Sequence, residues 1–163
     1  MDFLDQDYEV PTAPSSYMKF EKGENKFRIL GKPILGWLDW HEKNPIRYRM
    51  DEKPPEWKDA TKPGKHFWAL KVWNYGTQDI QILEITQASI QKAIKALAAD
   101  SDWGAPYGYD IKVVREGDGM DTKYTVNPVP HKQIAAEILT VEQEKYVNLE
   151  ALYDHKDPFK KEG

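Results

Sequence analysis

The sequence predicts a mainly β domain with one internal helix, and three observations carry that prediction. Short segments rich in isoleucine, valine and aromatic residues, bounded by Gly, Pro and Asn, recur on either side of residues 86–107. Between them one stretch keeps helical spacing without a miss: Ile90, Ala93, Ile94, Leu97 and Ala98 follow i, i+3, i+4, i+7, i+8. The 163 residues have the length of one domain with appendages, and such a chain buries roughly 70% of its extended surface, so it needs no staple. It has no cysteine, which removes disulfides, thiolate zinc sites and cysteine nucleophiles.

Residues 1–16 are polar, acidic and broken by Pro11 and Pro14, an arm without a core face of its own, expected to be flexible or docked. From Lys19, KFEKGENKFRIL alternates Phe27 and Ile29 with Lys26, Arg28 and Leu30, a half-buried strand. Gly31, Pro33 and Gly36 interrupt its continuation KPILGWLDW, so the first strand is read as long and bent. Residues 41–65 form a Pro-, Lys- and Glu-rich excursion in which IRYRM (Ile46 to Met50) is the one short strand candidate. HFWALKVWNY is the second strand, with His66, Trp68, Leu70 and Val72 facing a core and Phe67, Ala69, Lys71, Trp73 and Tyr75 facing outward. QDIQILEI is the third, after a turn at Tyr75 to Thr77.

Thr86 is the expected N-cap of the helix, which ends before the Gly104 and Pro106 loop. YDIKVVRE and DTKYTVN then flank Gly117, Asp118 and Gly119 as a hairpin. A last helix is expected from Thr140, spaced from Gln143 as in a capping box, with Tyr146, Leu149, Leu152 and Tyr153 as its apolar stripe. Three strands, a helix and two strands is the element order of the OB-fold, a five-stranded, partly open Greek-key barrel. The expected organisation is an acidic arm at 1–16, the barrel at 17–131 with its basic excursion between strands 1 and 2, and a C-terminal helical extension at 132–163.

The formal charge is −4, but it is unevenly placed. Residues 17–75 carry 13 basic and eight acidic side chains together with five of the six tryptophans, Trp37, Trp40, Trp57, Trp68 and Trp73. Interleaved cations and aromatic rings suit a single-stranded nucleic acid, whose bases stack on rings and whose phosphates meet lysine and arginine. Phe67, Trp73 and Tyr75 around Lys71 are the candidate platform, unless a C-terminal helix or the acidic arm covers them. Arg47 and Arg49, two apart on a strand, project alike and can meet successive phosphates. Tyr48, Trp57 and Lys65 belong to the same excursion. Lys53, Lys58 and Lys62 read as a solvated charged loop. Lys26 and Arg28 on the first strand, Lys112 on the fourth and Lys123 on the fifth extend the cationic track.

The phrases KFEKGENKFRILGKPILGWLDW, PIRYRM, KHFWALKVWNY, IQILEITQ, SDWG, YDIKVVREG and TKYTVNPVPH, from Tyr17 to His131, resemble the single-stranded DNA-binding proteins of tailed bacteriophages. The resemblance implies an OB-fold that coats single strands during phage replication, recombination and repair, without catalysis, inside the infected bacterium. It implies single-stranded DNA as partner, with replication or recombination proteins beside it, and a cleft lined by Arg47, Arg49, Lys65, Phe67, Lys71, Trp73 and Tyr75. Some relatives hold zinc through cysteines in the excursion; with none here, and with His41 and His66 only half a ligand set, no zinc or other cofactor is expected.

GxxxxGKS/T, HExxH, GxSxG and GxGxxG are all absent, and a non-enzyme is expected. Asp39 and Glu42 read as ordinary surface carboxylates. The acidic N-terminus, unlike a basic secretion signal, and the short apolar runs point to a cytoplasmic protein without a membrane span. The alternative function is a protein-interaction or scaffolding module of a replication complex.

Overall fold

Gly31 and Pro33 cut the run KFRILGKPILGWLDWH into two strands that nevertheless act as one. In the computed structural model, which describes residues 3–7 and 16–161, β1 (Gly23–Ile29) and β2 (Ile34–His41) both pair antiparallel with β4 (Lys65–Asn74). Ile29 lies opposite Val72 and Ile34 opposite Ala69. Four residues of the first strand therefore face only Leu70 and Lys71, a bulge whose first member, Leu30, still donates its N–H to the Lys71 carbonyl at 2.9 Å. The long bent first strand is present in this form.

IRYRM is a strand as far as Arg49, and Met50 opens a short 3-10 helix. β3 (Asn44–Arg49) turns back on β2 as a hairpin, with Glu42 and Lys43 at positive φ in its tip. β5 (Asp79–Ile85) pairs with β4; α1 (Ala88–Ala99), β6 (Ile111–Glu116), β7 (Lys123–Pro128) and α2 (Ala136–Glu144) follow. The result is a mainly β protein with one seven-stranded antiparallel sheet ordered β3-β2-β4-β1-β6-β7, β5 joining at β4. Seven strands replace the expected five because the first strand splits and the excursion supplies β3.

Among the described residues no ladder joins β5 to β7, so the sheet is open there, and α1 packs against β7. The free edge of β5 takes a short parallel bridge from Tyr17: Met18 donates to the Ile82 carbonyl at 2.9 Å and Ile82 to that of Ser16 at 3.0 Å. The acidic arm expected at 1–16 falls largely outside the described residues.

The sheet is buried on both sides. Its inner face packs Phe27, Ile29, Leu70, Val72, Leu83, Ile85, Ile111 and Val113 against Ile90 and Ile94 of α1. Its outer face carries Ile34, Leu38, Phe67, Ala69 and Ile82 under Leu152, and Trp73 and Ile80 under Ile138. Leu152 belongs to a 3-10 helix at Leu149–Asp154 and Ile138 to α2. The expected single helix from Thr140 is thus two pieces. Thr140 sits inside α2, its hydroxyl donating to the Ala136 carbonyl at 3.2 Å, and caps nothing. At α1, the residue before the first turn is Gln87 rather than Thr86.

Gly36 is required by the hairpin. A Cβ there would collide with the Tyr48 carbonyl oxygen and lie 3.0 Å from the Phe67 ring. Backbone and a fully buried ring cannot give way as a flexible side-chain end would. Gly36→Ala is therefore expected to destabilise the fold by about 1–3 kcal/mol, read as a lowered midpoint in urea with unchanged slope.

Candidate nucleic-acid interface

The predicted platform on β4 has the expected alternation and a different environment. Phe67 is fully buried and Trp73 is 9% exposed, both expected on a wet face. The apolar side chains of α2 and the 3-10 helix cover that face, and the cations beside the rings are paired by carboxylates of the same chain. Lys71 meets Glu142 of α2 at 3.0 Å, Arg49 meets Glu150 at 3.6 Å and Glu52 at 3.9 Å, and Arg47 meets Glu84 at 2.7 Å. The Arg49 guanidinium also lies 4.5 Å from the Tyr153 ring centroid. Arg47 and Arg49 do share one side of β3, as their spacing predicts, but both are occupied.

Arg28 is not a surface cation. It is 2% exposed, with Nε 2.6 Å from Asp110 Oδ1, and its two terminal nitrogens donate to the Tyr107 and Lys132 carbonyls at 3.1 and 2.8 Å. The Tyr75 hydroxyl donates to the same Asp110 oxygen at 2.9 Å. Burial, and then this hydrogen bond, pushes Tyr75 up to about 12. Lys26 stands 3.8 Å from Asp110 and 4.6 Å from the Tyr75 ring centroid. Lys112, opposite Lys26 in the ladder, pairs with Glu24 at 3.6 Å, and Lys123 is exposed at the start of β7.

Tyr48 and Trp57 lie toward the opposite face of the hairpin. Tyr48 is across from Trp37, whose ring centroid is 6.5 Å from that of Trp57 and 5.3 Å from that of His66. The Lys53 ammonium sits 4.5 Å from the Trp37 ring centroid and 5.8 Å from that of Trp57, so this lysine packs on aromatic faces. His66 Nδ1 is 2.8 Å from the Gly36 carbonyl oxygen, and among the described residues no three His, Asp or Glu side chains gather into a metal site.

The outer face opens at its other end. Trp40 continues the Leu38 side of β2 past the covered region and is 44% exposed. Two grooves flank it, one lined by Glu42, Lys43, Lys58, Asp59 and Lys62, the other by Lys62, Lys65 and Glu84. Asp39, expected on the surface, is fully buried and holds this corner together. Its carboxylate accepts the N–H of Trp40 at 2.8 Å and that of Lys58 at 2.9 Å, which ties the excursion to β2. The same loop is closed by Asp59, which accepts the Thr61 hydroxyl at 2.6 Å and its N–H at 2.9 Å. These bonds, hydroxyl first, hold Asp59 below the usual carboxylate range.

Cations on the two halves therefore differ. Among the described residues no carboxylate lies within ion-pair distance of Lys43, Lys58, Lys62 or Lys65, while Arg28, Arg47, Arg49 and Lys71 are all paired. Of the residues expected at the site, only Lys65 belongs to the open end. Sequence reasoning passed over Trp40, although its two-residue spacing from Leu38 places both on one face. Comparison with family models, with curated proteins and with solved structures finds no match for this chain.

Two expectations follow for the covered half. Trp73→Ala, because its ring is enclosed by Ile80 and Ile138, is expected to lower folding stability by about 3–5 kcal/mol in chemical denaturation. The raised Tyr75 value makes its protonated phenol a stabilising group. That contribution is complete below pH 10, the ordinary value, and lost as pH rises toward about 12. Tyr75→Phe should remove it, and the difference in phenolate absorbance between the two proteins should show one tyrosine titrating near the upper value.

Proposed function

We propose that this protein binds single-stranded nucleic acid, DNA in the first instance, on the outer face of an OB-type sheet, with the open corner around Trp40 as the entry site. The observation that supports this most directly is the segregation of charge. Four lysines free of ion pairs surround a half-exposed indole and outnumber the three carboxylates that line the same grooves, Glu42, Asp59 and Glu84, of which Glu84 is already paired with Arg47. A base stacked on an indole contributes about 1–3 kcal/mol, whatever its identity, and lysines bordering the ring can meet the phosphates on either side. Duplex DNA hides its base faces, so single strands are preferred. The bent first strand shared between two ladders, the single helix ahead of β6 and the β6–β7 hairpin are the parts from which an OB barrel is built. Coating of phage DNA in the infected cytoplasm, the role implied by the resemblance of residues 17–131, is the biological setting proposed. No helix among the described residues is long and apolar enough to cross a membrane.

Titration of tryptophan fluorescence with oligo(dT) tests this. Neutralising about four phosphates gives a log–log salt slope near −3, from roughly −0.7 per contact on single strands. Trp40→Ala should weaken binding by about 1–3 kcal/mol without changing stability, and Lys62→Ala should flatten the slope by about 0.7. Equal affinity for an oligomer and a hairpin duplex of the same length, or an affinity indifferent to salt, refutes the proposal and leaves a protein partner for the corner.

A further inference from the structure

We infer that α2 is a displaceable strap, and that the β4 surface beneath it is a second single-strand subsite, parted from the Trp40 corner by the 3-10 helix at Leu149–Asp154 and closed by the chain itself. The inference rests on the single-strand binding proposed above. What lies beneath α2 is the chemistry that a strand would use: the Trp73 indole, the Tyr75 ring and the Lys71 ammonium on one face. What lies above stands in for each part of a strand. Ile138, with Val141 beside it, covers the Trp73 ring where a base would stack, and the Glu142 carboxylate sits 3.0 Å from Lys71 where a phosphate would.

The attachment of α2 suits release. It is nine residues long, with Ile138 its one buried residue and no side chain capping its first turn. A helix that short has little stability without a surface to pack on. It is moored at both ends by contacts that do not involve Trp73 or Lys71. On one side Val129 donates to the Asp110 carbonyl at 2.9 Å and Lys132 to that of Gly108 at 3.0 Å. On the other Lys145 meets both Asp79 oxygens at 3.1 Å and the Ile80 carbonyl at 2.7 Å. Residues 133–144 can leave the sheet while these moorings hold. The neighbouring 3-10 helix is different: Leu152 is 3% exposed in the cluster with Phe67, and the Tyr153 hydroxyl donates to the Leu35 carbonyl at 2.6 Å. It stays, and Phe67 stays covered.

A carbodiimide couples a lysine amine to a carboxylate only when the two touch, so the Lys71–Glu142 amide reports the closed strap. The experiment uses the full chain with oligo(dT) of about 16 and about 4 nucleotides, the range of OB-type site sizes. The longer oligomer is expected to suppress the 71–142 cross-link and to speed amide hydrogen exchange in residues 136–144, the reverse of the protection that a bound ligand usually confers. The shorter one should occupy the Trp40 corner and leave both unchanged. The double variant Ile138→Ser, Glu142→Gln should bind the longer oligomer about tenfold tighter and the shorter one equally, since it frees a subsite that is otherwise closed in most molecules. Fluorescence quenching by the longer oligomer with the cross-link and the exchange rates unchanged overturns the strap and leaves the binding proposal standing; absence of quenching by either overturns both.

Discussion

The central pair β4–β5 is apolar on both faces, and the rest of the architecture answers that constraint. Leu70, Val72, Leu83 and Ile85 point one way, Phe67, Ala69, Trp73, Ile80 and Ile82 the other. A sheet of this kind needs two covers, because either face left bare would expose a large contiguous apolar patch. The inner cover is α1 with the curled strands β1, β6 and β7. The outer cover comes chiefly from the described residues after 132, seated firmly at Leu152 and, in α2, through the single buried residue Ile138.

Covering the outer face also divides the cations. Where apolar side chains of the C-terminal segment descend on the sheet, carboxylates come with them: Glu142 pairs the mostly buried Lys71, and Glu150 the half-exposed Arg49. Past the end of that cover the lysines stay in water and need no partner. The fold thus produces one aromatic and basic surface in two states, neutralised and dry over β4, charged and wet at Trp40. A net negative chain can carry a cationic corner in this way, since local arrangement rather than total charge sets the field that a phosphate meets.

Two buried carboxylates hold these parts in register. Asp39 accepts backbone N–H groups from β2 and from the excursion, so the positions of Trp40 and Lys58 are coupled through one side chain. Asp110 receives Arg28 and Tyr75, and Arg28 in turn reaches the Lys132 carbonyl, which sets where the C-terminal segment begins its path across the sheet. Each is a polar group whose burial would be costly without these bonds. Their satisfaction requires the excursion and the extension to be in place.

Local pattern was enough to read the strands of Phe27 to Ile29, 65–74 and 79–85, the helix at 88–99 and the hairpin around Gly117, since periodicity and turn residues are carried by neighbours in sequence. It was enough to place Arg47 and Arg49 together and Trp73 opposite Trp68. It also held an unused signal: IQILEI is apolar at both parities, the mark of a strand buried on both sides, and it implied that Phe67 and Trp73 would be covered. Which segment covers them, that Arg28 and Asp39 would be interior, and that Trp40 would be the tryptophan left in solvent were decided only in the folded chain. Burial and ion pairing at those positions come from residues 19 to 82 places away, among them Lys58, Asp110, Ile138 and Glu142. No local propensity specifies those meetings. They follow from the two apolar faces of one central strand pair and from the C-terminal segment that closes the outer one.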